Sequence, residues 1–238
     1  MNNVSLLKLG SHKKKIWFVG YMNAGIKECL LDAENAYSNG ADAVIFEGHD
    51  YKKMDIFFTE LREKFPHEVM GVNFLGPDEN LYTAKETFEL AQKHKLQIAW
   101  TDFSGLDLIN KAKEISLHYI EDLKPKGVFY ISGIHMKYSN LIDKDKPIEK
   151  SALQAMGWVD GIVITGSKTG VAIDPEKAIR VRQVIGDYPM GIASGVSSEN
   201  VKSIISVIDY VVVNSSIADG NHRLIPEKLK ELRKVMGN

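Results

Sequence analysis

Gly161 to Gly195 reads GIVITGSKTGVAIDPEKAIRVRQVIGDYPMGIASG. Two short apolar runs, Gly161–Thr165 and Met190–Ser194, stand on either side of a stretch of helical length that Asp174-Pro175 opens and Gly186 ends. Pro pre-sets the first turn of a helix, and glycine past its end lets the chain turn back toward a strand. The run is therefore a β-α-β unit with parallel strands. Working outward, the same unit recurs at a spacing of roughly 25 to 30 residues. Further strands are expected at Ile16–Met22, Ala43–Glu47, Val69–Phe74, Gln97–Asp102, Gly127–His135 and Tyr210–Asn214. Each is nearly continuously apolar, as a strand covered on both faces must be.

The regular series favours closure into a (β/α)8 TIM barrel over an open doubly wound sheet, which would share the alternation. Helices are expected over Leu81–His94 behind Glu79-Asn80, over Glu176–Ile185, over Glu199–Val207 with Ser198 as cap, and over Glu227–Val235 after Pro226. No composition break divides the chain, so residues 1–238 are expected to form one barrel domain with residues 1–15 as a polar extension. Ser139–Pro147 is a longer polar loop in the place of a lid.

Composition removes several function classes. Thirty Lys and Arg against 31 Asp and Glu leave a net charge of −1, which gives no footprint for nucleic acid or an anionic membrane. The longest apolar runs are far below a membrane span, and Met1–Lys15 lacks the apolar core of a signal peptide. The single cysteine, Cys29, excludes an internal disulfide and reads as a buried apolar thiol, so a cytoplasmic location is expected. Homo-oligomerisation is an open expectation of such barrels.

In a barrel, residues just past the strands face the active site. That rule selects Glu47, Asn73, Asp102, His135, Lys137 and Thr165. Glu47, Asp102 and His135 suit acid/base work, Lys137 suits a developing anion, and Asn73 and Thr165 suit substrate binding. A Schiff-base mechanism would also fall to Lys137. Glu47, Asp102 and His135 would be the ligands of a divalent Mg²⁺, Mn²⁺ or Zn²⁺, but no local metal motif stands in the chain and no metal ligand is assigned. A second group is small: Gly166, Ser167, Thr169 and Gly170, then Ser194-Gly195, then Ser215-Ser216. Small residues let backbone N–H groups approach an anion, and barrels commonly hold phosphate after their seventh and eighth strands. A helix after Ser194-Gly195 would add its dipole. Asp174 reads as a helix cap, and Trp17, Trp100 and Trp158 as packing residues.

Thr165–Gly170 with Asp174, followed by Ala193–Asn200, resembles the BtpA family, named for a photosystem I biogenesis protein, whose members look like ribulose-phosphate-binding barrels. Asp32–Glu34, Gly40–Glu47, Gly71–Asn73 and Ile134–Lys137 extend the resemblance. The chain departs from the family pattern at Gly133, Tyr138, Ala193 and Ala218, where the family carries Asp, His, Gly and Lys. The resemblance implies the barrel and leaves the reaction open. The residues point to an enzyme acting on a small phosphorylated sugar or nucleoside-like metabolite as isomerase, aldol-type lyase or glycosidic hydrolase. The alternative is a non-catalytic assembly or regulatory factor that keeps the ligand-binding barrel, which Ala218 and Gly133 favour.

Overall fold

The computed structural model describes residues 13–76, 83–102, 120–137 and 145–237. Its strands are β1 (Lys15–Tyr21), β2 (Ala43–Gly48), β3 (Met70–Phe74), β4 (Ile98–Thr101), β5 (Phe129–Gly133), β6 (Gly161–Thr165), β7 (Met190–Ala193) and β8 (Tyr210–Val213). Each lies parallel to the next, and β8 returns to β1 in the register Lys15 to Tyr210 and Phe18 to Val213. The sheet is a closed eight-stranded barrel. The helices among the described residues are α1 (Ile26–Ser38), α2 (Tyr51–Lys64), α3 (Ala84–Lys93), α4 (Ile148–Ala155), α5 (Pro175–Ile185) and α6 (Pro226–Met236). Every expected strand is present, most with ends moved by a residue or two. Glu79 to Leu81 and residues 139–144 of the expected lid lie outside the described residues.

Local chemistry explains the helix starts. Asp174 Oδ1 accepts the Glu176 N–H at 3.0 Å and Pro175 follows, while Gly186 ends α5 at φ +58°. The expected helix over Glu199–Val207 is absent, and only a single 3₁₀ turn stands at Val201–Ser203. Asn200 is the cause. Its Oδ1 accepts the Ser197 N–H at 3.0 Å and its Nδ2 donates to the Gly195 carbonyl at 2.6 Å, which holds this backbone in a turn. No helix dipole therefore stands behind the β7 loop.

The barrel is filled from below by aromatic rings. Trp17 stacks on Tyr210 at 4.1 Å, and Phe129 meets Trp17 edge-on at 6.1 Å. Tyr210 takes the space left by two strand glycines: a Cβ on Gly191 would lie 2.0 Å from its ring and one on Gly161 2.7 Å from its hydroxyl. That hydroxyl donates to the Ile162 carbonyl at 3.0 Å. Above this packed floor, a pocket opens at the C-terminal ends of the strands. Outside the sheet, Phe18, Phe46, Phe57, Phe58 and Phe88 are buried between strands and helices.

Gly191→Ala should overpack this floor and lower the unfolding free energy by about 1–3 kcal/mol. Urea titration reads the loss. Gly157→Ala, where no atom lies within 4 Å of the added Cβ, should leave the midpoint near wild type.

Candidate functional site

Parallel register puts the ends of β1, β2 and β3 level, with Tyr21 opposite Glu47 and Glu47 opposite Asn73. A cavity of about 280 Å³ opens above them, and its walls include Tyr21, Glu47, Asn73, Asp102, Lys137 and Thr165. Asn73 is fully buried. Its Nδ2 donates to Glu47 Oε1 and to Asp102 Oδ1, both at 3.1 Å, so one amide holds two carboxyl groups together. Burial pushes the Glu47 carboxyl up to about 8, the Asp102 charge adds to the shift, and the Asn73 hydrogen bond and Lys137 oppose it. Glu47 thus keeps a proton at neutral pH. The same carboxyl is the largest influence holding the Tyr21 phenol above its ordinary range, ahead of burial and Asp102.

Lys137 reaches across the cavity. Its Nζ donates to Ser194 Oγ at 2.9 Å, and that hydroxyl donates in turn to the Lys168 carbonyl at 3.1 Å. Ser194 sits at φ +92°, a costly conformation for a residue with a side chain, which these two bonds hold. Of the small residues, Thr169, Ser194, Gly195, Ser215 and Ser216 line the cavity, whereas Gly166, Ser167 and Gly170 do not. Gly166 and Gly195 have a different use. A Cβ on either would lie 2.2–2.3 Å from the backbone of Val171, so Gly166 lets the β6 loop fold back on itself and Gly195 lets the β7 loop pack against it.

His135 is placed elsewhere. β5 ends at Gly133, His135 turns to φ +48°, and its Nε2 meets Ser151 Oγ of α4 at 3.1 Å instead of facing the cavity. The place it was expected to fill belongs to Met136, which folds back over Gly133 so closely that a Cβ there would lie 2.1 Å from Met136 Cγ. The metal set Glu47, Asp102 and His135 is therefore not brought together. Among the described residues no three His, Cys, Asp or Glu side chains gather as metal ligands.

Sequence reasoning missed three contributors. Tyr21 stands at a strand end, where the barrel rule would have selected it. Trp100 packs in the barrel core as expected and also lines the cavity. His222 lies far along the β8 loop with no local signal, yet its Nδ1 meets Asn214 Oδ1 at 3.2 Å and its ring lies 4.8 Å from that of Tyr21. The loop is strapped down by Arg223, whose guanidinium donates to both oxygens of Asp32 on α1 at 2.7 and 3.0 Å. Asn214 Nδ2 donates to the Val19 carbonyl at 2.6 Å, which ties this rim to β1. Cys29 is buried as expected, and burial, with Asp32, pushes its thiol up to about 11.

A family model described as the BtpA family matches residues 95–235. An uncharacterised mitochondrial protein of Caenorhabditis elegans is 24% identical over 220 residues, covering 80% of this chain and 76% of the relative. Among solved structures, (S)-3-O-geranylgeranylglyceryl phosphate synthase from Thermoplasma acidophilum, in complex with sn-glycerol-1-phosphate, has a TM-score of 0.66 at 14% identity, covering 99% of this chain and 98% of that one. Phosphoribosyl anthranilate isomerase from Thermus thermophilus has a TM-score of 0.62 at 15% identity, covering 92% and 96%. At such identities the structures share the barrel fold. Among the described residues, no helix is long and apolar enough to cross a membrane.

The raised Glu47 carboxyl has a signed consequence for stability. The unfolded chain releases this proton near the ordinary carboxylate value of about 4.3, whereas the folded chain keeps it to about 8. Between those values the unfolded state binds fewer protons, so this group makes stability fall as pH rises from about 5 to 8 and level off above. Urea unfolding of Glu47→Gln across that range should lack this decline, leaving the variant's stability relative to wild type greater at pH 8 than at pH 5.

Proposed function

The chain belongs to the BtpA family, and we propose that its barrel is an enzyme acting on a small phosphorylated sugar or nucleoside-like metabolite by proton transfer beside a carbonyl. The observation that carries this reading is the pair Glu47 and Asp102 joined by the Asn73 amide, with Lys137 reaching from the same wall to Ser194. A carboxyl that holds its proton near neutrality beside a second carboxyl is an acid and base set in one place.

In this reading the phosphate rests on the backbone of Thr169, Ser194-Gly195 and Ser215-Ser216, which leaves the carbon chain of the substrate facing the carboxyl pair. Asp102 takes a proton from carbon, Glu47 returns one, and the Lys137 ammonium stabilises the enediolate oxygen between the two steps. Isomerisation and aldol-type cleavage share that intermediate. His135, turned to Ser151, is left out of the chemistry.

Two measurements test the reading. A sugar monophosphate at about 100 times its dissociation constant should raise Tm by roughly 5–10 °C, and Ser216→Asp should abolish the shift by placing a negative charge at the phosphate. Proton NMR in D2O should show the bound substrate exchanging a carbon-bound proton, with the rate falling on an alkaline limb near pH 8. Glu47→Gln should bind as wild type does and exchange at least ~100-fold more slowly. Binding without exchange in the wild-type chain would identify a ligand-binding factor in place of an enzyme.

A further inference from the structure

The cavity is electrically lopsided. One wall carries Glu47 and Asp102, the loops opposite line it with uncharged residues, and Lys137 is the cation lining it among the described residues. Among the described residues, three buried side-chain atoms without a hydrogen-bond partner lie on its lining: Asn73 Oδ1, Trp100 Nε1 and Thr165 Oγ1. Asn73 and Thr165 are fully buried and Trp100 is 5% exposed. The Asn73 amide cannot be turned to hide its oxygen, because its nitrogen is held by both carboxyl groups. An indole N–H can only donate, an amide oxygen can only accept, and a hydroxyl can do either.

We propose that the site selects monophosphates whose other end is uncharged and carries a hydroxyl next to a carbonyl, and that it rejects bisphosphates and phosphorylated carboxylates. This inference rests on the phosphate-binding reading above and adds the polarity of the substrate to it. A carbonyl oxygen answers the Trp100 N–H, and a hydroxyl answers the Asn73 oxygen and the Glu47 carboxyl. Buried polar groups left unpaired are costly, so a ligand that pairs them is favoured over one that does not. A second phosphate or a carboxylate would meet the Asp102 charge beside the protonated Glu47. Like charges facing each other in a low-dielectric pocket cost enough to weaken binding by at least ~100-fold. Lys137 supplies one positive charge between the two sides, which answers a transient enediolate oxygen but is less than the combined charge of Asp102 and a second phosphate or carboxylate.

The test uses the full chain at pH 7.5 and titration calorimetry with named probes: ribulose 5-phosphate, ribose 5-phosphate, ribulose 1,5-bisphosphate, 3-phosphoglycerate and inorganic phosphate. At least one of the two pentose monophosphates should bind, and the bisphosphate and the phosphorylated carboxylate should each bind at least ~100-fold more weakly. Asp102→Asn should narrow that gap for ribulose 1,5-bisphosphate, and Asp102→Ser serves as a second variant should the first not fold. The bisphosphate or 3-phosphoglycerate binding as well as the monophosphates would overturn the inference while leaving the phosphate reading in place. So would inorganic phosphate binding as tightly as a pentose monophosphate, since the polar wall would then recognise nothing. No binding by any probe would overturn the phosphate reading and this inference together.

Discussion

The register in which β8 returns to β1, with Lys15 beside Tyr210 and Phe18 beside Val213, closes the sheet, and the level of every rim residue follows from it. Closure brings Trp17 onto Tyr210 as a solid floor, and the missing side chains of Gly161 and Gly191 make room for that ring. With the lower barrel filled, the cavity opens at the C-terminal ends of the strands. The same parallel register sets Tyr21, Glu47 and Asn73 side by side on β1, β2 and β3. A buried carboxyl at this depth is expensive to ionise, and the neighbouring Asp102 makes it more so. The proton on Glu47 is thus a product of barrel architecture.

The two halves of the rim are built by different means. On the carboxyl side, side chains are locked by hydrogen bonds from strand to strand, and the Asn73 amide is the shared member. On the small-residue side, backbone packs on backbone, with Val171 filling the space that Gly166 and Gly195 leave open. Lys137 and Ser194 join the halves with one bond. Arg223 and Asp32 brace the loop after β8, which holds His222 against Tyr21 and Asn214.

Much of this was legible in the sequence. The strands announced themselves because a run covered on both faces must be apolar throughout, and Glu47, Asn73, Asp102, Lys137 and Thr165 followed from their places at strand ends. Other features were hidden by competition between local signals. Ser198 and Glu199 look like a helix start, but the Asn200 side chain bonds Ser197 and Gly195 and holds a turn. His135 continues an apolar strand in sequence, yet the space over Gly133 goes to Met136, and a positive φ swings the imidazole out to α4. Gly166 and Gly195 read equally as a cradle for an anion or as a seat for backbone, and the coordinates put Val171 on both. His222 had no local pattern at all, since its contacts depend on where a long loop is strapped.

In the proposed reading one side of the rim holds an anion and the other holds a proton. The most direct measurement is a crystal structure of the chain grown with a pentose monophosphate. The expected result is phosphate oxygens accepting hydrogen bonds from the backbone at Ser194-Gly195 and Ser215-Ser216, with the sugar hydroxyls toward Glu47 and Asn73. A phosphate seated against Glu47 and Asp102, or bound outside the cavity, would contradict it.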